Sequence, residues 1–134
     1  MKGLVFFLFQ LFLLTLTGCG FRTDYHEGPI VSPGSKLEVS AFVNITDSKK
    51  RNYFKVVLII NDKAHGETIE QLTGIGHAMK WAIGWYRQNV IVAQSSDIGT
   101  RSWEYLDGEL RPLEVTDDMH RFAEELRIKK YGLD

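Results

Sequence analysis

The chain has 134 residues, of which 44% are hydrophobic and 25% charged, and this length and composition suit one globular domain. A formal net charge of −1 excludes an overall basic field of the kind that draws a protein to nucleic acid or to an anionic membrane surface. The single cysteine excludes an intramolecular disulfide framework, so the fold must depend on the packing of its core.

The first element in chain order is an apolar run that follows a short basic start. Lys2 supplies one positive charge, and residues 3–17, GLVFFLFQLFLLTLT, contain no charged side chain. A helix that spans a membrane needs about 20 apolar residues, whereas this run is shorter and the polar chain resumes directly after it. The pattern therefore predicts a cleaved export signal over residues 1–18 rather than a core helix.

The residues at the expected cleavage point resemble a known processing motif. Leu16-Thr17-Gly18-Cys19 resembles the lipobox of bacterial lipoproteins, with leucine three residues before the cysteine and small residues between them. Small side chains at 17 and 18 let a protease approach the backbone, and the thiol is a good nucleophile for alkylation. The resemblance implies cleavage between Gly18 and Cys19, a diacylglycerol on the Cys19 sulfur, and an added acyl chain such as palmitate.

The resemblance also implies where the protein resides. One acyl chain holds a protein weakly, whereas two or three chains give stable attachment to the lipid bilayer. In enterobacterial lipoproteins an aspartate after the cysteine favours retention in the inner membrane, and Gly20 stands there instead. The expected location is the periplasmic side of the cell outer membrane, with the inner membrane or another cell-surface membrane left open.

Residues 19–35 are expected to form a flexible, lipidated tether. They contain Pro29 and Pro33 and follow neither a period of 2 nor a period of 3.6. This places the globular domain at residues 36–134.

The first half of that domain reads as strands. Residues 37–46 alternate apolar and polar side chains, which predicts a half-buried strand. Residues 53–60 are apolar on both faces, which favours a central strand. Residues 69–77, with Gly74 and Gly76, fit a short helical turn or an irregular strand.

The second half adds more strands and one helix. Strands are predicted at 79–86, 90–95, 100–106 and 109–115. Asp107-Gly108 is a strong hairpin turn, and Pro112, which lacks an amide proton, places the last strand at an edge. The expected fold is α+β, an antiparallel sheet of five or six strands with a C-terminal helix packed on one face.

The C-terminal helix has clear signals at both ends. Thr116 is the expected N-cap, acidic residues follow it, and Gly132 can end the helix. The stripe that should face the core consists of Met119, Phe122, Ala123 and Leu126.

Candidate catalytic groups are few. Ser95 or Ser96 with one of four histidines would suit a hydrolase, but no G-x-S-x-G elbow is present, and Ser-Ser-Asp also fits a loop whose side chains bond to the local backbone. His65-Gly66-Glu67 and the pair His120 and Glu124 match no metal-binding motif. The expectation is therefore a protein that is not an enzyme and has no metal or other cofactor.

Aromatic residues offer the strongest hint of recognition. Trp81 and Trp85 share a strand face and favour core packing, while a second set is a candidate partner-binding surface because tryptophan and tyrosine are enriched at interface hot spots. That set is Tyr86, Arg101, Trp103 and Tyr105. The sequence leaves open whether these four side chains pack in the core or lie on a binding surface.

The sequence thus predicts an anchored envelope protein with a non-catalytic domain. Its partner is expected to be a protein of the cell envelope and not nucleic acid. The domain would act as an accessory envelope component or as an immunity or inhibitor protein. The rival hypothesis is a small envelope hydrolase that uses Ser95 or Ser96 with a histidine.

Overall fold

The computed structural model describes residues 22–133 and contains two antiparallel four-stranded sheets and one helix among them. Sheet I has the order β1-β2-β3-β4, and sheet II has the order β5-β6-β7-β8. The strands of sheet I are β1 (Tyr25–Val31), β2 (Leu37–Val43), β3 (Lys55–Asp62) and β4 (Glu67–Gly76). Sheet II consists of β5 (Trp81–Arg87), β6 (Val90–Ser95), β7 (Gly99–Leu106) and β8 (Glu109–Leu113), and helix α1 (Asp117–Tyr131) follows.

The main core lies between the two sheets. Every second residue of β2, from Leu37 to Val43, is buried, as period-2 alternation requires. These side chains and those of β3 pack against the tryptophans of sheet II, of which Trp81 is 1% exposed. The arrangement is a sandwich of two sheets.

A second core lies between sheet II and the helix. Val90 and Val92 of β6 pack against Met119 and Ala123 of α1. Because sheet II is covered on both faces, β6 is buried at all its positions.

The helix begins and ends as its sequence predicts. The Thr116 hydroxyl accepts a 3.2 Å hydrogen bond from the amide of Met119, and Gly132 donates its amide to the carbonyl of Ile128. The predicted stripe is confirmed, since Phe122 and Leu126 also join the second core. Asp117 and Asp118 lie in the first turn, and Lys129 and Lys130 in the last.

The α+β class and the antiparallel pairing are confirmed, but the single sheet of five or six strands is wrong. Residues 77–80 carry the chain from sheet I to sheet II, so the strands divide between two sheets. Residues 69–77, which were ambiguous, belong largely to β4, and β3 is central as expected. Pro112 lies in the edge strand β8, as its missing amide proton predicted.

The predicted tether over residues 19–35 also needs correction. Tyr25–Val31 is the edge strand of sheet I and pairs with β2. Trp85 fixes it from sheet II, because its indole Nε1 donates a 2.8 Å hydrogen bond to the carbonyl of Ile30. The folded domain therefore includes residues before 36, and residues 25–31 are not a flexible tether.

The predicted signal at 1–18 and the predicted lipidation site, Cys19, lie outside the described residues. Between residues 22 and 133, no helix combines the length and the hydrophobicity that crossing a bilayer requires.

The strand directions give the sandwich two ends. We call the end at which β1 begins the proximal end, where the rings of Tyr25 and Trp81 lie 6.0 Å apart. We call the opposite end, where β3 finishes at Asp62, the distal end. At about 3.3 Å per residue, β3 separates the two ends by roughly 23 Å.

Candidate functional site at the distal end

The distal end contains a hollow of about 360 Å³. The turn before Leu37 and the β3–β4 turn line it from sheet I, and Gln88 and Asn89 line it from sheet II. Asp62 and Tyr105 lie at its base, where the two sheets meet. Hairpin turns from both sheets therefore frame a concave, partly polar surface of the kind that binds ligands.

Asp62 is the central group of this site. It is 5% exposed, yet both of its carboxylate oxygens are occupied. Oδ1 accepts from the amides of Ala64 and His65 at 3.1 and 3.2 Å. Oδ2 accepts from the hydroxyl of Tyr105 at 2.7 Å and bonds to Nδ1 of His65 at 2.8 Å. A buried carboxylate needs such partners because burial alone would disfavour its charge.

These contacts shift three pKa values. The Tyr105 hydrogen bond, aided by His65, holds the pKa of the Asp62 carboxyl below its usual range. Burial, together with the bond to Asp62, raises the pKa of the Tyr105 phenol. The hydrogen bond with Asp62 and the attraction of its charge raise the pKa of His65. The cluster therefore favours an ionised Asp62, a neutral Tyr105 and a protonated His65.

A smaller hollow of about 250 Å³ adjoins the first and shares Asp62, His65 and Tyr105 with it. Glu67 and Asp107 add acidic groups there, and the Tyr105 hydroxyl lies 3.4 Å from Glu67 Oε2. The β7–β8 turn can approach Glu67 because it contains Gly108, where a Cβ would lie 2.8 Å from the same oxygen. The second hollow is therefore lined by the carboxylates of Asp62, Glu67 and Asp107, whereas the first hollow is lined by the hydrogen-bond donors Lys36, Gln88 and Asn89.

The geometry of the cluster suits recognition. Asp62 and Tyr105 are held by one another and by the backbone, which fixes the base of the hollow. His65 remains accessible at the rim, since its side chain is 73% exposed. Over residues 22–133, no group of three or more histidine, cysteine or acidic side chains is placed to hold a metal ion.

The serines predicted for a hydrolase lie at the other end of the sandwich. Ser95 is 3% exposed, donates its hydroxyl hydrogen bond to Asp97 and accepts one from the amide of Ile98 at 3.3 Å. These contacts, led by the hydrogen bond from Ser95, lower the pKa of Asp97. The serine and aspartate therefore stabilise their own turn, as in the alternative that the sequence left open.

Three of the four histidines form hydrogen bonds with groups other than a serine hydroxyl, and the fourth, His26, lies beside the ring of Phe42. His65 bonds to Asp62, His120 to the hydroxyl of Thr100 at 2.6 Å, and His77 accepts a 3.4 Å bond from the indole of Trp81. In the part of the chain that the structure describes, no serine hydroxyl bonds to a histidine. In the second metal candidate, His120 Nε2 lies 3.3 Å from Glu124 Oε1 on the helix surface.

The four residues of the predicted partner-binding surface do not lie together on one surface of the structure. Trp103 and Tyr105 are 4% and 7% exposed and belong to the main core, although Tyr105 also lines the distal hollow. Tyr86 lies under the helix, with its ring 5.6 Å from that of Phe122. Arg101 is exposed, but period-2 alternation places it on the other face of sheet II from Tyr86.

Sequence reasoning missed the cluster around Asp62. One local signal was present, since an aspartate that opens a turn commonly accepts hydrogen bonds from amides two and three residues later. The bond to Tyr105 could not be seen in this way because it joins two sheets.

No protein-family model, no curated protein and no solved structure matches this chain. Its function must therefore be inferred from its own residues and geometry.

Proposed function

We propose that this protein is an envelope lipoprotein, anchored through Cys19, whose folded domain binds a protein partner without catalysing a reaction. The observation that carries the proposal is the lipobox-like sequence Leu16-Thr17-Gly18-Cys19 close before the first strand. The apolar run over 3–17 and the small residues at 17 and 18 support the same reading. Gly20 favours the periplasmic side of the outer membrane.

The short distance in sequence from anchor to fold supports a defined orientation. Residues 20–24 separate Cys19 from Tyr25, and an extended chain spans at most about 3.6 Å per residue. The lipidated cysteine would then lie within roughly 20 Å of the start of β1. The proximal end would face the bilayer, and the distal hollow would face the periplasm.

The distal end has the chemistry expected of a recognition surface. Lys36, Gln88 and Asn89 supply donors around the hollow, and the Asp62–Tyr105 contact fixes its base. A preformed surface binds with a smaller entropic cost than one that must be ordered. The hydrogen bonds of the Ser95 hydroxyl, to Asp97 and from Ile98, do not favour the hydrolase hypothesis.

The anchor is tested by moving the thiol. Cys19→Ser should abolish incorporation of a labelled fatty acid and leave an unprocessed species of higher mass. The matched control is the double variant Cys19→Ser/Gly20→Cys, which keeps a thiol one residue out of register with the lipobox. It should also remain unlabelled, since the cysteine's position and not its presence is required. Labelling of either variant, or unchanged mass and fractionation of Cys19→Ser, would refute the lipid anchor.

The partner-binding half of the proposal needs a separate experiment. A photo-crosslinking residue is placed at Gln88, on the rim of the distal hollow, or at Arg121, on the exposed face of the helix. In intact cells Gln88 should give an adduct of defined mass, which mass spectrometry would identify as an envelope protein. Equal yields of the same adducts at both positions, or none at Gln88, would contradict the assignment of the distal end.

A further inference from the structure

The fold separates charges that cancel in the sequence. The proximal end, formed by residues 22–24, 44–55, 76–80, 96–98 and 129–133, carries eight lysines and arginines against three aspartates, and one of these cations, Lys130, is paired at 2.7 Å with Glu27 of β1. The distal end, formed by residues 32–36, 62–67, 87–90 and 106–109, carries three basic residues against four acidic ones. The formal net charge of −1 therefore conceals a basic end and a mildly acidic end.

The densest part of the basic end is a loop with a fixed conformation. Asn44 is 3% exposed, and its amide nitrogen donates to the Asp47 carbonyl and to the Asn52 side chain, both at 2.9 Å. Its amide oxygen accepts from the amides of Thr46 and Asp47 at 3.2 and 2.9 Å. Asp24 holds the same loop through a 2.8 Å bond from the Thr46 hydroxyl. The loop is therefore built around a buried asparagine.

This fixed loop presents three consecutive cations, Lys49, Lys50 and Arg51. All three are exposed, and within the described chain none of them forms an ion pair. Like charges held next to one another repel. Two acidic residues are neighbours of the run: Asp47 accepts a 3.1 Å hydrogen bond from the amide of Lys49, and Glu70 lines the same hollow as the three cations, but neither forms an ion pair with them. Such a group is arranged to meet an external negative charge.

An apolar residue is held beside these cations in a disfavoured backbone conformation. Phe54 has φ of 56°, in the left-handed region, and remains 37% exposed. Its amide donates to the Asn44 carbonyl and its carbonyl accepts from the His77 amide, both at 2.8 Å. Strained residues that are held by their surroundings cluster at functional sites, which motivates a functional hypothesis for Phe54. Met79 and Leu133, which are 43% and 84% exposed, lie at the same end.

We propose that the proximal end is a second, non-covalent membrane contact, in which Lys49, Lys50 and Arg51 bind anionic phospholipid headgroups and Phe54 and Met79 enter the interface. The inference rests on the proposed anchor for its orientation. A lipid surface is favoured over an acidic protein because residues 20–24 keep this end within roughly 20 Å of the lipidated Cys19. Basic clusters next to a membrane anchor bind anionic leaflets in this way, and one acyl signal with a basic patch anchors more firmly than either alone.

The test measures which end of the anchored protein touches the lipid. Ser48→Cys, beside the basic run, and Ala64→Cys, in the distal β3–β4 turn, each receive a fluorophore on exposed positions. Each labelled full-length chain is reconstituted into vesicles that contain a headgroup quencher. The lipid is phosphatidylglycerol mixed with phosphatidylcholine, or phosphatidylcholine alone. The label at 48 should be quenched more than the label at 64, and the difference should fall with added salt and without phosphatidylglycerol.

Charge removal provides the matched comparison. Replacing Lys49, Lys50 and Arg51 by glutamine should reduce the difference between labels to its value in phosphatidylcholine alone, while the protein stays in the vesicle fraction. At roughly fivefold per basic residue, the docked-to-undocked ratio should fall by about two orders of magnitude. The control replaces Lys36, Lys63 and Arg87, which are the same residue types at the distal end, and should leave the difference unchanged.

Several results would overturn the inference. These are equal quenching at 48 and 64, a difference that is as large in phosphatidylcholine alone as with phosphatidylglycerol, or equal effects of the two triple substitutions. Quenching at 48 between labelled copies without the lipid quencher would assign the surface to a second copy of the chain instead. The mass of Cys19 in the same sample reports separately on the anchor. If Cys19 carries no lipid but the expected quenching is seen, only the proposed lipid anchor is contradicted. If Cys19 is lipidated but the expected quenching is absent, only the proposed docking is contradicted.

Discussion

Tyr105 of β7 donates a 2.7 Å hydrogen bond to the buried carboxylate of Asp62 at the end of β3, and so joins the two sheets through side chains. The same carboxylate organises the β3–β4 turn through the amides of Ala64 and His65. One ionised group therefore fixes both a turn and the base of the distal hollow. If a partner binds there, the shape that it meets depends on the charge of Asp62.

Tyr105→Phe should destabilise the protein in a pH-dependent manner. Loss of one hydrogen bond to a charged group, about 1.5–3 kcal/mol, should lower the melting temperature at pH 7 by about 6–13 °C. Because the folded-state pKa of Asp62 is depressed, its contribution is present above the unfolded value of about 3.9 and disappears as the pH falls through the folded-state pKa. The difference between wild type and variant should therefore shrink on acidification.

Thermal unfolding followed by circular dichroism between pH 7 and pH 3 measures that difference. Tyr86→Phe removes a hydroxyl from the helix-facing side of sheet II and serves as the control. Its effect should not vary with pH in the same way. A Tyr105→Phe effect that is constant across this range would disprove the role assigned to Asp62.

The ionisation of His65 offers an independent test of the same cluster. Asp62 is the largest cause of its raised pKa, and Glu67 contributes less. Asp62→Asn should therefore lower the pKa of His65 by more than Glu67→Gln does, as measured by NMR titration of the ring protons. The raised pKa makes the His65 contribution to stability fully present below about pH 6.5 and lost as the pH rises through the folded-state pKa. Equal shifts in the two variants would argue against the hydrogen bond as the main cause.

Much of the fold follows from local patterns, while the partition into sheets does not. Thr116, the helix stripe from Met119 to Leu126 and the turn at Asp107-Gly108 were predictable because each depends on neighbours in sequence. The crossing between Gly76 and Trp81 was not, since alternation shows which face of a strand is buried and not which sheet it joins. One sign was available, because β6 is apolar on both faces and such a strand needs cover on each side.

The candidate surfaces escaped sequence reasoning for a related reason. Trp103 and Tyr105 could be read as core or surface until the second sheet was known to cover them. The net charge of −1 gave no sign of the proximal basic end, because a sum over the chain carries no information about position. The charges separate when the strand directions bring residues 44–55 and 129–133 to the same end.

Gly84 and Leu126 form a contact that can be tested by a double-mutant cycle. A Cβ at Gly84 would lie 2.6 Å from Cδ1 of Leu126, so Gly84→Ala should push the helix from sheet II and cost about 1–3 kcal/mol of unfolding free energy. In the Leu126→Ala background the same substitution should cost much less, because the clashing atom is absent. Urea unfolding of the four proteins measures the coupling. If the two substitutions have additive effects on the free energy of unfolding, the proposed clash between residue 84 and Leu126 is absent.

Two substitutions of Phe54 can test the strain in its backbone separately from the proposed contact of its ring with the membrane. Phe54→Ala and Phe54→Gly both remove the ring, but alanine keeps a Cβ in the left-handed region, where φ is 56°. Phe54→Gly should therefore unfold at higher urea than Phe54→Ala, by about 1 kcal/mol, which reverses the usual order of these residues in a strand. The same pair of substitutions at the exposed strand residue Thr68 should show the usual order, with alanine the more stable.

In the vesicle experiment both Phe54 variants should lose quenching at position 48 to the same extent, because docking needs the ring and not the strain. If Phe54→Gly is the less stable of the two, the backbone at this position is not strained and the argument that it is held for binding fails.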